Sequence, residues 1–243
     1  MLPQICHAAW HICRKHGQCL NLHGTAVDSI GTVNSLVDVQ VLFLHGQSIE
    51  GPFALLGRMD LRQLYLIDTP VEDLFAISGL TNLEVLYLCN TKVEDLFALS
   101  FLKNLRQLYL VDTPVDNLLP IMGFFNLEVL YLCKTKVDDL FPRSYLRNLR
   151  QLYLVDTPAD NLFAISGLTN LEVLDLNNTK VENLFAVAGL PNLRQLYLVD
   201  TPVHSLFEIS GLTNLEALYL SRTKVDNLFA LASLPNLRIF GFP

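Results

Sequence analysis

A leucine returns every 22 residues along most of this chain, at Leu61, Leu83, Leu105, Leu127, Leu149, Leu171, Leu193, Leu215 and Leu237. Each unit holds the order Leu, two variable residues, Leu, one variable, Leu, two variable, Thr, as in Leu61, Leu64, Leu66 and Thr69 or Leu193, Leu196, Leu198 and Thr201. A period of this length marks one supersecondary unit stacked on copies of itself, with each copy touching only its neighbours. The 243 residues therefore predict one continuous solenoid rather than one or two globular domains.

Within a unit the Leu-x-Leu core alternates apolar and polar positions as a strand does, and the Asp-Thr-Pro or Asn-Thr-Lys after it turns the chain away. The remaining half, VEDLFAISGLTN in one copy, is too short for a full helix and predicts an extended piece with a turn or two of 3₁₀ structure. Stacked copies then give a parallel sheet on one side and short irregular segments on the other. Residues 61–236 hold eight regular repeats. Residues 17–60 hold two degenerate ones, the first keeping Leu20, Leu22, Thr25, Val27, Ile30 and Leu36, the second Leu42, Leu44, Ile49 and Leu56. In residues 1–16, Leu2, Ile5, Ala9, Ile12 and Cys13 share one side of a helical wheel, which predicts a short helix capping the open first repeat. Residues 237–243 supply a terminal strand with no cap.

A second period of 44 residues overlies the first, because LRQLYL alternates with LEVLYL and Thr-Pro with Thr-Lys. Asp68, Asp112, Asp156 and Asp200 occur in the first kind only. At the second position Arg62, Glu84, Arg106, Glu128, Arg150, Glu172, Arg194, Glu216 and Arg238 change sign at every step. Neighbouring strands place like positions side by side, so this column predicts an ion-pair ladder across the sheet. Thr69, Thr91, Thr113, Thr135, Thr157, Thr179, Thr201 and Thr223 form a further column, expected to bond the turning backbone of their own and adjacent repeats.

The pattern LxxLxLxxTxVxxLxxLxxLxN, with Thr in the turn, resembles the 22-residue class of leucine-rich repeats found in internalin-like bacterial surface proteins, SDS22-like phosphatase regulators and many protist proteins. The resemblance covers residues 17–242. It implies an α/β right-handed solenoid, a horseshoe or shallow arc, with the parallel sheet on its concave face and short 3₁₀ or irregular segments on its convex face. It also implies a protein that binds another protein, usually by the concave face.

Composition narrows the function classes. Apolar residues make up 51% of the chain, yet no run reaches the ~18 consecutive apolar residues of a spanning helix. A formal net charge of -7 argues against nucleic acid as partner. The opening MLPQICHAAWHICRKH lacks a clean apolar stretch and reads poorly as a secretory signal. Cys6, Cys13, Cys19, Cys89 and Cys133 show no paired spacing, which favours free thiols and a cytoplasmic location. Cys6, His7, His11, Cys13, His16 and Cys19, with His23 and His45 at equivalent strand positions, raise a metal site, but no C-x-x-C pair exists and the gaps fit no standard zinc module. A cap helix with core cysteines and solvated histidines is the expected reading, with no metal or other cofactor. No glycine-rich phosphate loop or G-x-S-x-G element is present, and Glu94-Asp95 and Asp138-Asp139 read as solvated turns, so no enzymatic role is expected.

The candidate site lies on the strands. Tyr65, Tyr87, Tyr109, Tyr131, Tyr153, Tyr197 and Tyr219 occupy the fifth position of successive units, and Phe43 extends the row. Beside them Gln63, Gln107, Gln151 and Gln195 alternate with Val85, Val129 and Val173. Tyrosine gives large, rigid, amphipathic contact area, so this strip is the expected protein-binding surface. The row breaks at Asp175, a polar notch suited to a partner's basic or hydrogen-bonding group. Another column, Phe75, Phe97, Phe141, Phe163, Phe185, Phe207 and Phe229, follows a leucine in the convex half and is expected to be a buried packing spine; exposed, it would be a second sticky face. The expected function is a non-enzymatic interaction module, with a structural subunit of a large assembly as the alternative. Leu237, Phe240 and Phe242 leave an apolar strand at the end, an edge suited to self-association or a subunit contact.

Overall fold

The computed structural model describes residues 19–21, 39–46, 60–140 and 146–242. They form one sheet of 11 parallel strands in strict sequence order, β1 to β11. The strands are β1 (Cys19–Asn21), β2 (Val41–His45), β3 (Gln63–Ile67), β4 (Val85–Tyr87), β5 (Gln107–Tyr109), β6 (Val129–Tyr131), β7 (Gln151–Tyr153), β8 (Val173–Asp175), β9 (Gln195–Tyr197), β10 (Ala217–Tyr219) and β11 (Arg238–Phe240). Among the described residues every helical segment is a 3₁₀ turn of three to five residues, from Phe75–Ile77 through Phe229–Leu231. The solenoid expected from the repeat is the architecture observed. Residues 1–16, with the expected cap helix and most of the Cys/His cluster, lie outside the described residues.

The core is one continuous column. Leu64 and Leu66, and their equivalents in each later strand, point inward with the leucine that opens the unit, while Val71, Leu74, Ile77 and Leu80 close the same turn from the other side. All are fully or nearly fully buried. Each removes roughly 1.5–3 kcal/mol worth of side chain from water, and the gain depends on a neighbouring turn being present to cover it.

Each turn leaves the sheet through a left-handed residue. Asp68, Asn90, Asp112, Lys134, Asp156, Asn178, Asp200 and Arg222 have φ between 53° and 59°. Gly46, one period before Asp68, has φ 65°. Asp and Asn tolerate this region better than most side chains, which accounts for their frequency there. Seven of the threonines that follow bond within their own unit: Thr91, Thr113, Thr135, Thr157, Thr179, Thr201 and Thr223 donate to the carbonyl three residues back, while the buried Thr69 hydroxyl makes no such bond. The expected bond to the adjacent repeat is made by another residue, the asparagine that ends the unit. Asn104, Asn126, Asn148, Asn170, Asn192 and Asn214 donate to a carbonyl 23 residues earlier. Asp73, Asp95, Asn117, Asn161 and Asn183 accept the backbone N–H two residues on and so start the 3₁₀ turns. This gives half of the acidic pair at Glu94-Asp95 a structural task.

The charge ladder forms in alternate steps. Arg62 pairs with Glu84, Arg106 with Glu128 at 2.6 Å, Arg150 with Glu172 at 2.5 Å and Arg194 with Glu216 at 2.5 Å. Each pair is exposed and contributes about 0–1 kcal/mol. The Glu-to-Arg steps between these pairs carry no ion pair among the described residues, and Glu216 to Arg238 is one of them. The last strand, β11, is slipped by one residue, so that Arg238 pairs in register with Ala217, and Phe240 with Tyr219. The slip carries Phe240 into the ring row, stacked on Tyr219 at 4.6 Å.

Candidate functional site

The third, fifth and seventh residues of each unit, counted from its opening leucine, face away from the leucine core and form a second apolar cluster. Val41, Phe43, Tyr65, Ile67, Cys89, Tyr109, Val111 and Cys133 are its buried members, with Val85, Tyr87, Val129, Tyr131, Tyr153 and Val155 packed against them. Strand pairing aligns Phe43 with Tyr65 and then each tyrosine with the next. Strands lie about 4.8 Å apart, close to the stacking distance of aromatic rings, so the row becomes a pile of rings. The expected site residues are thus brought together into one surface.

The stacking follows the 44-residue period. Tyr87 on Tyr109 has a centroid distance of 3.8 Å and an interplanar angle of 6°, and Tyr131 on Tyr153 3.9 Å and 10°. Between these pairs the steps are looser, 4.5 Å and 20° for Tyr65–Tyr87 and 4.7 Å and 21° for Tyr109–Tyr131. Hydroxyl bonding explains the alternation. Tyr65, Tyr109, Tyr153 and Tyr197 donate to the Oε1 of Gln63, Gln107, Gln151 and Gln195 two residues back. Tyr87 and Tyr131 hydrogen-bond instead to the hydroxyls of Tyr109 and Tyr153. One glutamine therefore serves two tyrosines, and the strand between carries valine at that place. Burial, first, pushes the Tyr65, Tyr87 and Tyr131 phenols well above the usual range, with neighbouring phenols adding at all three and the hydroxyl bonds adding at Tyr87 and Tyr131. Burial with the neighbouring phenol raises Tyr197 to about 12.

Exposure varies along the row. Phe43, Tyr65 (2%) and Tyr109 (9%) are buried, while Tyr87, Tyr131, Tyr153, Tyr197 and Tyr219 are half-buried. Asp175 takes a ring's place between Tyr153 and Tyr197. It is 5% exposed. Its Oδ1 accepts the Asn177 backbone N–H at 3.0 Å, and Asn177 Oδ1 accepts the Val199 N–H at 2.7 Å. Desolvation, opposed by the Asn177 bond and assisted by the Asp156 charge, raises the Asp175 carboxyl to about 6.

The phenylalanine column is not a buried spine. Phe75, Phe97, Phe163, Phe185, Phe207 and Phe229 are 58–87% exposed. Leu119 stands in the column at 55%, and Phe141 lies outside the described residues. The preceding leucine fills the core place in each turn, so the next side chain points outward. A groove of about 570 Å³ opens beside Phe163 and Phe185, edged by Asp160, Glu182 and Lys180.

The cysteine expectation divides. Cys89 and Cys133 are buried thiols outside any disulfide, and burial pushes the Cys133 thiol up to about 12. Cys19 is disulfide-bonded, contrary to the expectation of free thiols throughout. His45 pairs with Asp68 at 2.8 Å and stacks on Phe43. Among the described residues no group of His, Cys, Asp and Glu is arranged to hold a metal ion, and no helix is long and apolar enough to cross a membrane.

No protein-family model matches this sequence, and no curated protein matches it. Solved structures do. The chain is similar to internalin C2 of Listeria monocytogenes, with a TM-score of 0.75 at 26% identity over 89% of this chain and 92% of that one. Internalin F of the same organism gives a TM-score of 0.70 at 22% identity, covering 88% of this chain and 71% of that one. The ectodomain of a plant membrane receptor kinase from Arabidopsis thaliana, solved in complex with Casparian strip integrity factor 2, gives 0.67 at 22% identity, covering 83% of this chain and 26% of that one.

Proposed function

We propose that this chain, whose fold is the leucine-rich repeat solenoid, is a non-enzymatic module that binds a protein partner on its sheet face. The observation that carries the reading is the pre-stacked ring row. Its rings are fixed by their neighbours and by the glutamines before any partner arrives, so little side-chain entropy remains to be lost on binding. Tyr87, Tyr131, Tyr153, Tyr197 and Tyr219 keep exposed edges for contact, and Phe43, Tyr65 and Tyr109 support them from below. The Arabidopsis ectodomain, solved in complex with Casparian strip integrity factor 2, is a precedent for this fold holding a partner. A location inside the cell stays part of the proposal, resting on the buried Cys133 thiol, which is in no disulfide, and opposed by the disulfide at Cys19.

The exposed phenylalanine column favours a second reading, a structural subunit of a larger assembly that uses more than one face. One experiment separates the two. Partners captured from native extract by the wild type are compared with those of Val129→Glu plus Val173→Glu, which places charge on the sheet face, and of Phe185→Ser plus Phe207→Ser. Loss of partners in the first variant with retention in the second supports the sheet-face site. Equal recovery by the wild type and the first variant overturns it, and loss in the second alone gives the function to the phenylalanine column.

A further inference from the structure

The ring row is continuous from Phe43 to Tyr153 and again from Tyr197 to Phe240, with centroid distances of 3.8–5.3 Å at every step. At the one strand between, the carboxylate of Asp175 stands where a ring would be. We propose that this gap is a slot for a partner's arginine side chain, whose guanidinium plane enters between the rings of Tyr153 and Tyr197 and meets the Asp175 carboxylate at the floor. The proposal rests on the sheet face being the binding surface and names the group that surface selects.

Three observations converge. First, Tyr153 and Tyr197 each lack a stacked ring on the side of Asp175 among the described residues, while each is stacked on its other side, by Tyr131 and Tyr219. Two unused π-faces are therefore turned toward one space. Two strand steps separate them by about 9.6 Å, room for one planar group at roughly the spacing the row itself uses.

Second, the row responds to the gap. Tyr197 belongs to the glutamine-bearing kind of strand, whose tyrosine pairs tightly with the ring before it, as Tyr109 does with Tyr87 and Tyr153 with Tyr131. Deprived of that partner, Tyr197 aligns with the ring after it, Tyr219, at 4.3 Å and 6°. The step equivalent to a loose junction has taken the parallel ring angle of a tight one, at a distance between the two kinds. The slot is a defined break in the stack with its walls held from outside.

Third, the floor is an acid without a cation. Asp175 accepts one backbone N–H, and among the described residues no ion pair reaches it. The charge that acts on it is the Asp156 carboxylate, which repels. Burial has raised its carboxyl to about 6, so at neutral pH it is mainly ionised yet poorly solvated, and a cation brought into the slot would stabilise that form. A phosphate or carboxylate group is repelled there, and a neutral ring leaves the carboxylate unanswered. Arginine answers all three features, since its planar and weakly hydrated cation stacks on aromatic faces and bonds a carboxylate through parallel N–H groups. Lysine offers the charge without the plane.

The test uses N-acetyl-arginine methylamide as probe, titrated into the full chain at neutral pH while ring signals of labelled tyrosine are followed by NMR. Saturable shifts are expected at Tyr153 and Tyr197, with Tyr87 and Tyr109 unmoved. The lysine analogue is expected to bind more weakly. D175N, which keeps the shape and removes the charge, is expected to weaken the arginine probe by about tenfold or more, and D175Y, which fills the slot, to abolish its binding. Unchanged affinity in D175Y, or shifts spread evenly over the row, overturns the proposal. So does the absence of any saturable shift in a folded wild type. Thermal unfolding of both variants verifies that each remains folded. If partner capture is lost in the charged sheet-face variant but D175N binds the probe like the wild type, the slot falls and the binding face stands. If the probe binds as expected while capture ignores the sheet face, the slot stands and the broader reading falls.

Discussion

Two aromatic columns run the length of this solenoid with the same 22-residue step, and the fold treats them in opposite ways. On the sheet the tyrosines stack at 3.8–4.7 Å and half-bury one another. On the other side the phenylalanines are 58–87% exposed, and Phe97 meets Phe101 of its own turn edge-on at 6.2 Å. The difference is one of backbone. Hydrogen bonds between strands fix the repeat spacing near 4.8 Å, a distance at which rings touch. Outside the sheet adjacent repeats are joined by scattered bonds, such as the Asn104 side chain to the Thr81 carbonyl and the Lys92 backbone N–H to the Val71 carbonyl, rather than by a continuous strand ladder. Equal periodicity in sequence thus yields a built column in one place and a row of separate apolar groups in the other.

The largest expected effect strikes the built column. Tyr87→Ala plus Tyr109→Ala removes the tightest ring pair and leaves Gln107 without its donor. It is expected to destabilise the chain by about 3–5 kcal/mol, within the range for deleting large packed rings. Denaturant unfolding measures it. A loss below about 1 kcal/mol would mean that the stack decorates the sheet rather than strengthening it, and the contrast between the columns would disappear.

The interruption at Asp175 sharpens the same contrast through pH. Its folded-state carboxyl is raised from 3.8 to about 6. A raised carboxyl binds its proton more tightly in the folded state, so its stabilising contribution is full below about pH 4 and is lost as pH rises through about 6. Two units correspond to on the order of 2–3 kcal/mol. D175N lacks this titration, so the stability of D175N minus that of the wild type should rise between pH 4 and pH 7 by about that amount. A flat difference across the window would show that Asp175 is solvated and that the ring row has no buried acid in it.

Much of this was legible in the sequence, for a physical reason. The leucines at the first, fourth and sixth places and the threonine after them recur because every copy must present the same inward face to its neighbours, and periodicity reports that directly. The tyrosine row was legible as a row, but its internal pairing was not. That pairing depends on hydroxyls meeting across strands, although the alternation of Gln63 and Val85 two residues before each ring carried the signal. The bond that joins repeats was assigned to the threonines and belongs to the asparagines, such as Asn104 reaching back to Thr81. A contact 23 residues away is visible only once the copies are stacked. Phe185 and its relatives were expected inside because they are apolar and follow a leucine. Each Leu-Phe pair there offers one inward place, and Leu184 occupies it with no exposure. The slip of β11 was hidden because Leu237 and Arg238 continue the pattern in letters while Phe240 completes the stack in space.

The smallest expected effect on stability belongs to the exposed column, and its smallness is the point. Phe185→Ser plus Phe207→Ser replaces rings that are 72% and 76% exposed, so little buried area is lost and stability should change by about 0.5 kcal/mol or less. Apolar groups spaced along one side of a chain still expose a surface that water disfavours, and self-association in dilute solution is the expected outlet. The double variant should therefore unfold like the wild type yet elute later from a sizing column wherever the wild type self-associates. A stability loss comparable to that of the tyrosine pair would place these rings in a packed environment and erase the difference between the columns. An unchanged fold together with unchanged elution would leave the phenylalanines without a role in self-contact and return them to the question of which partner covers them.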